Sequence, residues 1–209
     1  MPPVDALIVD LDGVIRHWDA DHFAETVASF GLDVPAFSAI AFEPELLAGG
    51  MTGALSFDEW ADEIGRRVAA RHGCDAATVT RGFAALRWSV DEGVVALLRE
   101  VRRARRVKLA LFSNASTKLE ADLESRNLHL EFDVVFNSAR LGQAKPDPDA
   151  FRTVAGLLGV PVERCLFVDD TVPNVDGARA AGMQAEAFTG VRSFRSLLER
   201  AELLGAPSA

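Results

Sequence analysis

Three short apolar runs in this chain end directly in polar side chains: Leu7-Ile8-Val9 runs into Asp10, Leu109 to Phe112 into Ser113-Asn114, and Leu166-Phe167-Val168 into Asp169-Asp170. In an open parallel sheet the ligand crevice lies beyond the carboxyl ends of the strands, so these side chains are expected to meet although they are scattered in sequence. Within Asp10-Leu11-Asp12-Gly13-Val14 the two carboxylates stand two residues apart and, on extended backbone, point to the same side. Two anions sharing a pocket are costly unless one is protonated or a cation lies nearby, and Asp169-Asp170 adds more negative charge. A hard divalent cation answers that cost, and oxygen-only ligands favour magnesium over zinc or copper. One carboxylate is then free to attack an electrophile while the other gives and later withdraws a proton. A phosphoryl group is the natural electrophile, because Ser113, Asn114 and Lys145 can meet its oxygens with hydrogen bonds and positive charge. Lys145 stands in Lys145-Pro146-Asp147-Pro148, where the prolines stiffen the loop and disfavour helix before Asp147.

These residues need a scaffold of alternating strands and helices. Strand-length apolar runs recur at Ala6–Val9, Val107–Phe112, Val134–Phe136 and Cys165–Val168, and all but the first follow helical patterns, which predicts a parallel sheet. Between the first two runs lie roughly ninety residues with no convincing strand, more than one crossover helix requires. That stretch reads as an inserted helical subdomain with helices at Asp19–Phe30, Ser56–His72 and Asp75 to about Trp88. Ser56-Phe57-Asp58-Glu59 forms a capping box, and Phe57, Trp60, Ala61, Ile64 and Val68 make one apolar face. Later helices are expected at Thr117–Arg126, Asp147–Leu158, Asn174–Ala181 and Ser193–Leu204, with Gly182 and Gly205 as C-terminal caps of two of these. The predicted fold is α/β, a doubly wound Rossmann-like core of residues 1–15 and 89–209 carrying a helical cap of residues 16–88. The cap is expected to open and close about linkers near Ile15 and Ser89.

The bulk properties set limits on partners. The chain has 209 residues, 49% hydrophobic and 25% charged, with a formal net charge of −9. The acidic field disfavours nucleic acid and anionic lipid, and the basic stretch Arg99–Lys108 reads as a solvated helix end. Cys74 and Cys165 are far apart and suggest packing thiols rather than a disulfide or a zinc site. The amino terminus lacks a signal-peptide pattern and no apolar stretch reaches membrane-spanning length, so a cytoplasmic monomer or homodimer is expected. The absence of a Gly-x-x-x-x-Gly-Lys-[Ser/Thr] loop argues against a nucleoside triphosphatase.

Asp10-Leu11-Asp12-Gly13-Val14, Ser113-Asn114, Lys145-Pro146 and Asp169-Asp170 with Asn174 resemble, in order and interval, the four motifs of the haloacid dehalogenase-like superfamily. The insertion resembles the helical cap of its first subfamily, and the paired aspartates resemble the variant with two adjacent acids in the last motif. The resemblance implies Asp10 as nucleophile and Asp12 as acid/base. It also implies magnesium held by the Asp10 carboxylate, the Asp12 main-chain oxygen and Asp170, with Ser113 and Lys145 on the phosphoryl oxygens. Either Asp169 or Asp170 could ligate the metal while the other orients Lys145, and Asp170 is favoured. Asn114 and Asn174 read equally well as a turn residue and a helix cap, and rank as supporting. Trp18, Trp60 and Trp88 could line the pocket under the cap, and Arg16, Arg81 and Arg87 could grip a second anionic group. His17 and His22 read as surface or packing residues.

The function implied is a magnesium-dependent phosphatase of a small phosphorylated metabolite, with sugar phosphates, phosphoglycolate and nucleoside monophosphates all open. Asp12 argues against dehalogenation, which has no leaving-group oxygen to protonate. A β-phosphoglucomutase-like mutase is one alternative, with His22 where such enzymes can carry a cap-hinge histidine. A non-catalytic phosphate-sensing or partner-binding domain is the other.

Overall fold

The computed structural model describes residues 2–104 and 106–204, and the expected cap at Gly205 lies outside them. In chain order the elements are β1 (Ala6–Val9), β2 (Arg16–Trp18), α1 (Ala20–Ser29), α2 (Val34–Ala41), α3 (Pro44–Thr52), α4 (Phe57–His72), α5 (Ala76–Ala84), β3 (Trp88–Val90) and α6 (Glu92–Ala104). There follow β4 (Lys108–Ser113), α7 (Leu119–Ser125), β5 (Val134–Asn137), α8 (Ser138–Leu141), α9 (Pro148–Leu158), β6 (Cys165–Asp169), α10 (Val172–Ala181), β7 (Gln184–Ala187) and α11 (Val191–Arg200). Among the described residues no helix is long and apolar enough to cross a membrane.

The large sheet is parallel in the order β5-β4-β1-β6-β7. Because side chains alternate across a strand, Leu7 and Val9 of β1 join the core on one face while Ala6 and Ile8 join the core on the other. Both faces are covered by helices, as a continuous apolar strand requires. The chain leaves β1 toward β4 and β5 and later returns to β6 and β7, so strand order reverses beside β1 and a crevice opens there at the strand ends.

Helices α1–α5 form the cap around a core of their own, in which Phe37, Ile40, Ile64, Val68 and Val79 are buried. The expected capping box is present, with Ser56 and Glu59 satisfying each other's backbone N–H groups at the start of α4. Hydrogen bonds from the helical part of the cap fasten it to the core: Ser138 donates to the Met51 carbonyl at 2.6 Å, the Phe57 N–H to Thr117 at 2.8 Å, and Lys118 to the Ala84 carbonyl at 2.9 Å.

Several boundaries differ from expectation. Strands β2 and β3 occupy a stretch read as strandless, pairing antiparallel from Arg16↔Val90 to Trp18↔Trp88, so the two linkers form one ribbon at the neck of the cap. The third cap helix therefore stops at Ala84 and Trp88 is in a strand, because the chain must extend to reach its partner. The last helix runs Val191–Arg200, not Ser193–Leu204. Gly182 ends α10 with φ +104°, a conformation that favours glycine. Cys165 is buried, its thiol pushed up to about 11 by burial, whereas Cys74 is only half-buried beside the cap core.

Candidate active site

Adjacent strands deliver the charged side chains to one place. Val9 pairs with Leu111 on one side and Val168 on the other, and the Asp10 N–H donates to the Val168 carbonyl at 2.9 Å. Asp10 thus emerges between Ser113, at the end of β4, and Asp169, at the end of β6. These three residues are 5%, 1% and 0% exposed.

Lys145 enters from the loop before α9 and is 4% exposed. Asn114 holds its backbone at both ends, donating to the Lys145 carbonyl at 2.7 Å and accepting from the Lys145 N–H at 2.8 Å. The role of Asn114 is therefore to fix the lysine loop. A Cβ on Gly177 would lie 2.1 Å from the Pro146 carbonyl oxygen, so only glycine lets α10 approach the loop this closely. The ammonium so placed donates to Asp10 Oδ1 at 2.7 Å and to Asp169 Oδ2 at 2.6 Å.

The adjacent aspartates have different surroundings. Asp169 accepts from Lys145, from the Thr171 N–H at 2.8 Å, and from Asn174 at 3.0 and 3.1 Å, which leaves its carboxylate fully occupied. Asp170 is exposed and accepts from the Thr171 hydroxyl at 3.2 Å. Gly13 closes the site opposite: its φ is +79°, and a Cβ there would fall 2.0 Å from Asp170 Oδ2.

Carboxylate oxygens of Asp10, Asp169 and Asp170 can all be found within 4.8 Å of one another. Two of these carboxylates, Asp10 and Asp169, share the Lys145 ammonium, and Asp170 adds a third negative charge. Burial pushes Asp10 up to about 7 despite the opposing pull of Lys145, with Asp169 raising it further. The surplus negative charge and the all-oxygen donor set fit a hard divalent cation such as magnesium. The Ser113 hydroxyl is buried with no partner among the described residues, and Ser113 lines the same cavity of about 280 Å³ as Asp10, Lys145 and Asp170, so it is available to an oxyanion.

Asp12 is held by groups that its spacing from Asp10 did not reveal. The chain turns back after Leu11, whose carbonyl accepts from the N–H groups of Ile15 and Arg16 at 2.8 and 2.7 Å. This brings the Arg16 guanidinium onto Asp12 as a fork at 2.7 and 2.8 Å, and the Trp18 indole N–H onto Asp12 at 2.8 Å. Arg16 also donates to Asp122 at 3.0 Å, so it is committed to two carboxylates and not free to grip a substrate anion. The only advance sign was its position four residues after Asp12.

Asp10, Asp12, Ser113, Asn114, Lys145, Asp170 and Asn174 line one pocket, and Asp169 lies behind it. Trp18, Trp60 and Arg87 line the neighbouring space under the cap. Trp88 and Arg81 do not: Trp88 sits in a separate groove with Arg126, and Arg81 bonds Thr78 on its own helix. His22 accepts from the Arg87 N–H at 3.3 Å and lines neither pocket, and His17 faces Asp91.

Comparisons with known proteins bear on the family and the fold. A family model described as haloacid dehalogenase-like hydrolase matches residues 4–182. A phosphatase of Mycobacterium tuberculosis is 30% identical over 195 residues, covering 87% of this chain and 86% of that protein. Several other curated relatives it matches are longer proteins, of which the chain spans less than half. A HAD-like family hydrolase from Porphyromonas gingivalis shares the fold with a TM-score of 0.74 and 22% identity, over 93% of this chain and 98% of the other. A HAD family enzyme from Bacteroides thetaiotaomicron, in complex with magnesium and inorganic phosphate, superposes with a TM-score of 0.69 and 19% identity, over 88% of this chain and 93% of the other.

Proposed function

This chain belongs to the haloacid dehalogenase-like hydrolases, and from that premise we propose that it hydrolyses the phosphomonoester of a small metabolite through an aspartyl phosphate on Asp10. The observation that carries this reading is the group of three carboxylates, two of them sharing the Lys145 ammonium, beside the Ser113 hydroxyl, which has no partner among the described residues. The relative from Mycobacterium tuberculosis is itself a phosphatase, and the Bacteroides enzyme holds magnesium and phosphate. Residues 1–15 and 89–209 are the proposed core and 16–88 the cap. The placement of that insertion supports a helical cap of the first subfamily.

Asp10, with Asp170 and the Asp12 main-chain oxygen, is the proposed magnesium site. The metal supplies charge neutralisation at the phosphoryl oxygens. Ser113 and Lys145 bind the same oxygens from the protein side, and Asn114, Asp169 and Asn174 keep the ammonium in place. An Asp10 carboxylate oxygen attacks phosphorus, the bond from phosphorus to the ester oxygen breaks, and Asp12 gives that oxygen a proton. Water then attacks the phosphorus of the aspartyl phosphate, Asp12 takes its proton, and the bond from Asp10 to phosphorus breaks to release inorganic phosphate.

The test is phosphate release from an aryl phosphate with and without magnesium. Wild type is expected to require the metal, and Asp10→Asn to lose at least on the order of 10³-fold in rate. Equal rates for the two proteins would falsify the assignment.

A further inference from the structure

Resting on the phosphomonoesterase reading above, we propose that the substrate's leaving group is bulky and apolar, a hydrocarbon-like or aromatic alcohol seated in the cavity between cap and core. This cavity measures about 360 Å³ and shares Asp12 and Asn114 with the phosphoryl pocket, so a molecule esterified at the one site extends into the other. At roughly 30 Å³ per water-sized group, it holds about a dozen such groups.

The walls favour an apolar occupant. Phe23, Phe42, Phe57, Trp60, Phe83 and Leu86 line it. Their mutual packing fixes the wall: Phe57 stacks on Phe83 with ring centroids 6.1 Å apart, and Trp60 meets Phe83 edge-on at 5.2 Å. Phe42 and Trp18 remain 39% and 46% exposed, an uncovered aromatic surface beside a catalytic pocket.

Most charged groups in the same walls are already committed to the protein. Arg16 pairs with Asp12 and Asp122. Lys118 donates to the Ala84 carbonyl, lies 3.8 Å from Asp122 and sits over the Phe57 ring at 4.8 Å. Arg87 is the one lining cation with no carboxylate partner among the described residues, and it is exposed. A sugar would bury several hydroxyls against a mostly aromatic wall, at a cost a hydrocarbon does not incur.

The experiment compares kcat/KM with magnesium for ethyl, butyl, hexyl and cyclohexylmethyl phosphate, primary alcohols whose leaving-group acidity hardly changes, beside glycerol phosphate and phosphoglycolate. Burial of a methylene is worth about fourfold, so the rise from ethyl to hexyl is expected to be on the order of a hundredfold. Ala84→Phe, which fills the cavity, is expected to shrink the hexyl-to-ethyl ratio by at least tenfold. A flat alkyl series, or glycerol phosphate or phosphoglycolate as the better substrate, overturns the apolar assignment and leaves the phosphatase reading standing. No hydrolysis of any ester overturns the phosphatase reading. In that case calorimetry decides the cavity: hexyl phosphonate binding wild type much more tightly than methyl phosphonate, with the difference reduced in Ala84→Phe, supports it, and equal affinities contradict it.

Discussion

Around Asp10 the fold buries charge, whereas a few residues away, between cap and core, it leaves aromatic surface uncovered. Lys145, Asp10 and Asp169 are 4%, 5% and 0% exposed, while Trp18 and Phe42 beside the cavity stay 46% and 39% exposed. In the first region the buried charges have fixed partners, and they come from the ends of β1 and β6 and from the loop before α9. In the second, most of the apolar wall comes from α1, α3, α4 and α5 and the loops between them, with Trp18, Ala115 and Leu119 closing it from the neck and the core. The difference separates two kinds of information. The reaction is set by a few residues on the rigid sheet, and the choice of alcohol by side chains on the cap.

Substitutions at the two regions should therefore differ in kind. In the charged region the largest effect is expected from Lys145→Ala, which leaves Asp10 and Asp169 facing each other without their shared cation. Turnover should fall on the order of 10³-fold. The metal-free protein should lose about 3–5 kcal/mol in denaturant unfolding, the usual result of breaking a buried ion pair. A stable, active Lys145→Ala protein would erase the contrast between the regions.

Arg16 belongs to both regions, lining the cavity and holding Asp12 by two parallel bonds. Arg16→Lys keeps the charge and loses the fork. Displacing a group in the reaction by about 1 Å costs about a hundredfold, so kcat should fall by about tenfold to a hundredfold with KM nearly unchanged. A change confined to KM would assign Arg16 to the cavity alone.

Gly13→Ala sharpens the metal side of the comparison. Its Cβ would occupy the space of Asp170 Oδ2, and its φ of +79° adds about 1–2 kcal/mol of backbone strain. The magnesium concentration for half-maximal phosphate release should rise about tenfold, as it does when a ligand loses its support. An unchanged magnesium dependence would remove Asp170 from the metal site.

The same division explains what the sequence disclosed. Strands β1, β4 and β6 were legible because four or more apolar residues run without interruption into a polar one, and their convergence follows from parallel topology. Lys145 was legible from its proline-framed loop. The neck ribbon was not: Arg16-His17-Trp18 and Trp88-Ser89-Val90 are three-residue strands that exist only because each finds the other. Strand β7, Gln184-Ala185-Glu186-Ala187, has little strand propensity and is held by pairing with β6. Helices α2 and α3 are short, each opens on a proline within its first turn, and neither has a clear amphipathic stripe to mark it. The clamp on Asp12 was hidden because it depends on a turn that reverses the chain between Leu11 and Arg16. A pocket under the cap was expected, but most of its lining was not legible because its walls come from side chains spread from Asp12 to Asp122.

The most direct test of the central claim is to trap the reacting residue. The protein is mixed with magnesium and hexyl phosphate, quenched during turnover, reduced with borohydride and digested for peptide mass spectrometry. A reduced acyl phosphate at Asp10, absent when magnesium or substrate is omitted, is the predicted result. Steady phosphate release with Asp10 unmodified at every quench time, or the reduced group at another aspartate, would contradict it.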